Sequence, residues 1–292
     1  MIGHDGGVAG SAVGVVQQLR RYPIKSMLGE ELTRATLTAR GLVGDRVGAV
    51  IDDETGRVVS VKYPRRWARI FELRAVTDDS GVQVCFPDRT RIAMEDSALT
   101  GELSAFFGRP VHVAAAPPPN AVFDELWLRD LKDGSDPYLG LPSRTVEGEE
   151  LIEGGQFMSA QGTFFNYGAV HVVTTGTTRR LTELAPATRF DPLRFRPNIV
   201  VETPETGFVE TDWVGRTLTV GGVELAVSMT VPRCVMTTLA QEDMPADRDV
   251  LRTITKHNAV DRGLGGAYPC VGVYADVARE GEVRTGDAVT IS

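Results

Sequence analysis

The chain has 292 residues, 42% of them hydrophobic and 24% charged, the profile of a soluble globular protein of one large or two ordinary domains. Arg and Lys number 31 against 39 Asp and Glu, a net charge of −8, which argues against a general nucleic-acid binder but allows a local basic patch for one anionic ligand. No apolar run is long enough for a bilayer, the Gly-rich start lacks a secretion signal, and 3 widely spaced cysteines without a CxxC point to a reducing, cytoplasmic setting.

In chain order, the first third reads as strands. Residues 13–16 open it and residues 32–38 follow. Segments 47–51 and 57–61 flank Asp52-Asp53-Glu54-Thr55-Gly56, and segments 70–77 and 82–86 flank Asp78-Asp79-Ser80-Gly81; both are hairpin signals. A helix is predicted after Asp96, with Leu99, Leu103, Phe106 and Phe107 on one face and Gly108 and Pro110 at its end. Residues 111–113 form a closing strand. From Pro117 to Ala160 the pattern breaks down, starting at Pro117-Pro118-Pro119. This stretch is expected to be an irregular connection and domain boundary, docked locally through Leu126-Trp127-Leu128.

The last part starts with a strand at 169–173, the turn Thr174-Thr175-Gly176-Thr177-Thr178 and a short helix to Leu184. Strands are predicted again at 198–201, 217–220, 223–227, 235–239 and 283–291, with a helix over 249–257 that turns Leu251 and Ile254 inward. Many short strands between Gly turns predict barrel-like sheets. The expected fold class is α+β and β-rich, with a few short helices. The expected units are a β-barrel-like domain at 12–116, a connection at 117–160 and a second β-barrel domain at 161–292.

Five segments combine polar side chains with tight turns. In Tyr22-Pro23-Ile24-Lys25-Ser26, Pro23 stiffens the chain while Lys25 and Ser26 offer a cation and a hydroxyl to an anion. Alone, it reads rather as a strand end with a solvated Lys. In Gly41-Leu42-Val43-Gly44-Asp45-Arg46, two glycines and an Asp make a turn and Arg46 begins a strand; the plainer reading is an Arg paired with Asp45 or a backbone carbonyl. Thr174 to Thr178 lies between strand and helix, where backbone N–H groups favour an anion or a Thr simply caps the helix. In Phe195-Arg196-Pro197-Asn198, Arg196 and Asn198 alternate in an extended stretch and face one side. The fifth is Arg233-Cys234. A thiol beside a fixed positive charge tends to ionise, and a thiolate is a nucleophile and a soft metal ligand; the competing reading is a small buried hydrophobe. His171, in an apolar strand, reads as a structural histidine, and His257 as a partner of helix-end carbonyls. Cys85 and Cys270 read as core thiols.

Taken together and in order, these segments resemble a known family. The 22–26 and 41–46 segments look like the start of the N-terminal β-barrel domain that precedes MOSC domains. Phe195 to Val201, Trp213 to Leu218 and Arg233-Cys234-Val235-Met236-Thr237-Thr238 look like the MOSC domain itself. Order and spacing are those of the amidoxime-reducing molybdenum enzymes and their bacterial relatives, from about Val13 to the C-terminus, with a poor match over 117–160. The resemblance implies a mononuclear molybdenum cofactor, with Cys234 as metal ligand and catalytic residue. Lys25, Ser26, Arg46, Arg196 and Asn198 would hold the pterin and its phosphate. Thr174 and Thr177 match the hydroxyl-bearing turn, and Arg233 would help keep the sulfur ionised.

There are departures from the family. Val231 stands where a second cysteine often lies, and Asn166 stands where relatives often carry Asp. With no Cys cluster for one, no iron–sulfur cluster is expected in this chain, and no pyridoxal phosphate is expected. The implied function is reduction of small N-hydroxylated or N-oxide substrates with electrons from a separate donor protein, without nucleic acid or membrane partners. The alternative is a non-catalytic carrier of the cofactor or of sulfur.

Overall fold

The computed structural model describes residues 10–126, 143–154, 164–261 and 266–292. Trp127, Leu128 and Ala160 lie outside them. The fold is strand-rich, 43% strand and 20% helical, as the turn-punctuated sequence predicts.

Seven strands close a barrel. They are β1 (Ser11–Arg21), β2 (Val170–Thr174), β3 (Ile199–Glu202), β4 (Thr217–Val220), β5 (Val223–Pro232), β6 (Ala267–Arg279) and β7 (Ala288–Ile291). Their order around the barrel is β2-β3-β1-β7-β4-β5-β6 and back to β2. Only β2 and β3 run parallel, and the helix Thr175–Leu184 supplies the crossover that a parallel pair requires. Thus β1, from the start of the chain, is a stave between β3 and β7, both from its far end. Alternating inward residues such as Val170, Val172, Ile199, Val201, Leu218, Val220, Val273 and Ala275 fill the interior and are all buried.

The rest of the N-terminal part is built of three-stranded sheets. Ala49–Asp52 lies between Val111–Ala114 and Arg57–Val58; Gly81–Cys85 lies between Arg74–Asp78 and Arg91–Ala93. A second core of Ile24, Met27, Val50, Tyr63, Trp67, Ile70, Leu73, Leu99 and Leu103 joins them. The helix Ala98–Phe107 ends on Gly108 in the left-handed region, φ 67°, as its sequence predicts. Asp96 accepts from the Ala98 N–H at 2.9 Å at its start.

Five local expectations change. The single strand expected at 283–291 is two, Gly281–Arg284 paired with Arg34–Thr38 and Ala288–Ile291 in the barrel, separated by a turn. Residues 117–160 contain strands Phe123–Leu126, Ser143–Val146 and Glu149–Gly154, which form one sheet. The tip Glu147-Gly148 has φ of 52° and 81°, the double left-handed turn that tightens a two-residue hairpin. The strand expected from residue 70 begins at Arg74, because Ala68–Glu72 is a 3-10 helix that buries Ile70 and Phe71. The strand expected at 235–239 is also a 3-10 helix, Val235–Thr238. There the Thr237 and Thr238 hydroxyls donate to the carbonyls of Cys234 (3.1 Å) and Val235 (2.8 Å) and hold the turn. Finally, β6 is the longest strand, 13 residues, yet Pro269 and Gly272 broke its pattern in sequence.

Candidate functional site

An open cleft of about 550 Å³, mouth included, lies where the barrel rim meets the N-terminal core. Lys25 and Ser26, just after β1, and Arg46 line one side. Arg196 and Asn198, just before β3, also line the cleft, with Ser60, Lys62, Met236 and Tyr274. The sequence segments around residues 25, 46 and 196 therefore converge.

Their backbones are unusual. Ser26 (φ 67°), Arg46 (φ 48°) and Arg196 (φ 56°) all lie in the left-handed region, although none is glycine. Each costs on the order of 1 kcal/mol or more and persists only where surroundings impose it, a pattern common at binding sites. Here the hydrogen bonds impose it. Lys25 N donates to Gly48 O at 2.8 Å and Arg46 N to Tyr22 O at 2.9 Å. Arg196 N closes the 3-10 turn Pro192–Phe195 on Leu193 O at 3.1 Å.

Asp45 ties these pieces together. Its carboxylate accepts from Tyr22 N at 2.7 Å, from Asn198 Nδ2 at 3.0 Å and from the Arg46 guanidinium. Asn198 also accepts from His171 N at 3.1 Å, so its amide braces the wall. Lys25 Nζ donates to Phe164 O at 2.9 Å and to Asn166 Oδ1 at 2.6 Å. Burial, then the neighbouring charges of Lys62, Arg46 and Arg196, push its ammonium well below the ordinary lysine range. Burial also lowers Arg196 to about 10. Its Nη1, the Tyr22 hydroxyl and the Arg233 Nε are buried without a hydrogen-bond partner among the described residues. Such orphaned donors are rare and costly, and they fit a ligand that supplies acceptors.

Cys234 is buried and stands next to the cleft rather than on its wall; Met236, two residues on, is on the wall. Sequence reading assigned ionisation of the thiol to Arg233. Instead burial dominates and raises the thiol, and Lys62 opposes it more strongly than Arg233 does. The Arg233 guanidinium donates to Phe195 O at 2.8 Å and lies 5.5 Å from the Phe195 ring, so it braces the segment that presents Arg196. Among the described residues no cluster of three or more His, Cys, Asp or Glu side chains could hold a metal.

The Thr174–Thr178 turn sits elsewhere. Thr174 caps the 175–184 helix through the Thr177 N–H at 3.2 Å. Both hydroxyls, Thr174 and Thr177, donate to the buried carboxylate of Glu210 at 2.6 Å, and Gly272 N donates to its other oxygen at 3.1 Å. The anion expected at this helix start is thus an internal side chain, whose pKa burial raises. Neither Thr lines the cleft.

Lys62, Ser60, Asn166, His171 and Tyr274 line the cleft but were not among the residues assigned to it from sequence. Lys62 Nζ pairs with Glu125 at 2.7 Å; burial pulls its pKa down, but Glu125 and Cys234 outweigh this and raise it. His171 Nδ1 is 3.3 Å from the Arg196 carbonyl, and burial and the Arg233 charge hold the imidazole well below its usual range, hence neutral. No motif marks these residues. Lys62 follows Val59-Ser60-Val61, an alternation that places Ser60 and Lys62 on one side, and this was the available signal.

Family models match the chain as a MOSC N-terminal beta barrel domain over residues 13–109 and a MOSC domain over residues 160–290. Mitochondrial amidoxime reducing component 2 from Homo sapiens is 25% identical over 95% of this chain and 83% of its own length. Mitochondrial amidoxime-reducing component 1 from Mus musculus is 26% identical over 95% and 82%. The crystal structure of the YUAD protein from Bacillus subtilis aligns with a TM-score of 0.42 and 12% identity, covering 96% of this chain and 95% of that one.

Proposed function

This chain is a MOSC-domain protein with a MOSC N-terminal barrel domain, and on that premise we propose that it binds a molybdenum cofactor and reduces small N-hydroxylated compounds. The observation that carries this reading is the convergence of Lys25, Arg46, Lys62 and Arg196 on one cleft of a chain with net charge −8, beside a buried thiol. Cations at this density in an acidic protein answer to a multiply charged anion such as a phosphate monoester. The unpartnered Arg196 Nη1 supplies a donor for it. Cys234 supplies a soft ligand, and the other ligands come from outside the protein.

When bound, the cofactor supplies a metal that takes up and gives back two electrons. The chain's residues do the rest. Arg196 and Lys25 grip the anionic part, Arg46 and Asn198 are held by Asp45 to shape the wall, and Ser26 adds a hydroxyl. Lys62 lies near the Cys234 sulfur and favours its ionised form. The neutral His171 and the Tyr274 ring, 5.5 Å apart by centroid, complete the lining beside Arg196. Substrate enters through the open mouth, and electrons come from a separate donor. The names of the relatives, amidoxime reducing components, motivate the substrate class.

Elemental analysis of protein produced with molybdate, and turnover of an aryl amidoxime with a reduced viologen, test the reading together. Near-stoichiometric molybdenum and turnover are expected in the native chain, both lost in Cys234→Ala. Full occupancy without turnover marks the carrier function instead. Absence of molybdenum ends the reading.

A further inference from the structure

The four cations of the cleft are mounted in pairs on two buried aromatic rings. The Arg46 and Arg196 guanidinium carbons lie over the Tyr22 ring, 4.7 and 4.2 Å from its centroid. The Lys25 and Lys62 ammonium nitrogens lie over the Phe123 ring, at 5.1 and 5.0 Å. Tyr22 is 3% exposed and Phe123 is 2% exposed. Within each pair, one cation has a carboxylate and the other has none among the described residues. Arg46 pairs with Asp45 and Lys62 with Glu125, whereas Arg196 and Lys25 form no ion pair there.

We propose that Tyr22 and Phe123 are positioning residues that hold Arg196 and Lys25 for an anion without tying either to a carboxylate. A carboxylate partner would also fix these cations, but it would compete with the ligand and cancel the charge. A ring face attracts a cation through its quadrupole and uses none of its N–H donors. The Arg196 Nη1 that remains unpartnered is the expected result. The two carboxylates offset the second cation of each pair, and this limits the repulsion of four like charges in one cleft. The division of labour follows: Arg196 and Lys25 meet the ligand, while Arg46 and Lys62 complete the mount.

The inference rests on the cleft being an anion site, as proposed above, but not on the metal the anion carries. The test is calorimetric titration of inorganic phosphate into full-length protein made in cells without the pterin cofactor. Tyr22→Leu is expected to weaken binding about tenfold, the scale of a desolvated cation–ring contact. Tyr22→Phe keeps the ring and is expected to lose less. In an Arg196→Met background, Tyr22→Leu should cost much less than alone, because the ring then holds only Arg46, whose charge Asp45 already offsets. A purely structural role would make the two losses multiply unchanged, and that outcome overturns the proposal. If Tyr22→Leu fails to fold, Phe123→Leu with and without Lys25→Met makes the same comparison on the second ring. Wild-type phosphate affinity in folded Tyr22→Leu and Phe123→Leu also overturns it. Molybdenum content of the native chain separates the two ideas. Ring-dependent phosphate binding without molybdenum sinks only the metal reading; molybdenum present with ring-independent binding sinks only this one. No phosphate binding at all sinks this proposal, and without molybdenum sinks both.

Discussion

Lys25 shows how a site can be written in the sequence while its state is not. The Tyr-Pro-Ile-Lys-Ser run marks the residue as a candidate cation, but its surroundings come from residues far along the chain, Phe164 and Asn166 among them. Burial and three nearby cations push its amine well below the ordinary lysine value of 10.5. Below its lowered value the amine is charged in both folded and unfolded chains. Between that value and 10.5 the unfolded chain holds a proton that the folded one has shed, so the stability of the empty fold rises with pH across this window. A bound anion raises the amine again, so binding takes up a proton and affinity falls as pH rises. Titrating sulfate, which does not itself titrate here, in buffers of different ionisation heats should reveal this uptake, and Lys25→Met should abolish it. Zero uptake in the native chain would contradict the assignment. Cys234 teaches the complementary lesson. Its neighbour in sequence, Arg233, faces Phe195, and the cation with the largest effect on the sulfur, Lys62, is a neighbour only in space. Pair interactions that depend on folding leave no adjacent trace.

At the scale of elements, the strands with clean alternation or strong turns were legible, and those with a breaker inside were not. In β6, Gly272 has φ 82°, and a Cβ there would stand 2.6 Å from Val172 O and well inside contact distance of His171 Nε2. The glycine that obscured the strand is what lets it pass His171 and reach Glu210 with its N–H. Gly272→Ala is therefore expected to cost at least about 2 kcal/mol, from left-handed strain and overlap, read as a lower denaturant midpoint. The Thr174–Thr178 turn was legible as a helix start with an anion, but the identity of that anion was not, because Glu210 approaches from 33 or more residues away. Removing a donor to this buried carboxylate, as in Thr174→Val or Thr177→Val, should destabilise by about 1–3 kcal/mol. Phosphate affinity should move little by comparison. A large loss of affinity with unchanged stability would return the turn to the binding site. The 143–154 hairpin was missed because prolines and acidic residues upstream obscured a Glu-Gly tip flanked by alternating residues.

At the scale of the whole molecule, the barrel is not made by one contiguous stretch of chain. β1 supplies the stave between β3 and β7, with partners such as Leu19 to Ile199 and Ser11 to Ile291. Removing it exposes two strand edges and part of the interior. A fragment of residues 160–292 is expected to be insoluble or to bind hydrophobic dyes, and co-expression with residues 1–116 should restore a compact, protease-resistant complex. A stable fragment on its own would contradict this. The overall β-rich class was legible from composition and turn spacing; this sharing of a stave was not, because nothing in the local pattern of residues 11–21 says which strands flank it. The sharing also sets a timetable. A ribosome adding about 5–20 residues per second keeps β1 waiting for tens of seconds before its last neighbour emerges. Until then the eleven-residue strand pairs only at its end with Glu30–Leu32 and keeps an open edge, so the nascent chain is exposed to misassociation, and to holdase chaperones, through most of its synthesis.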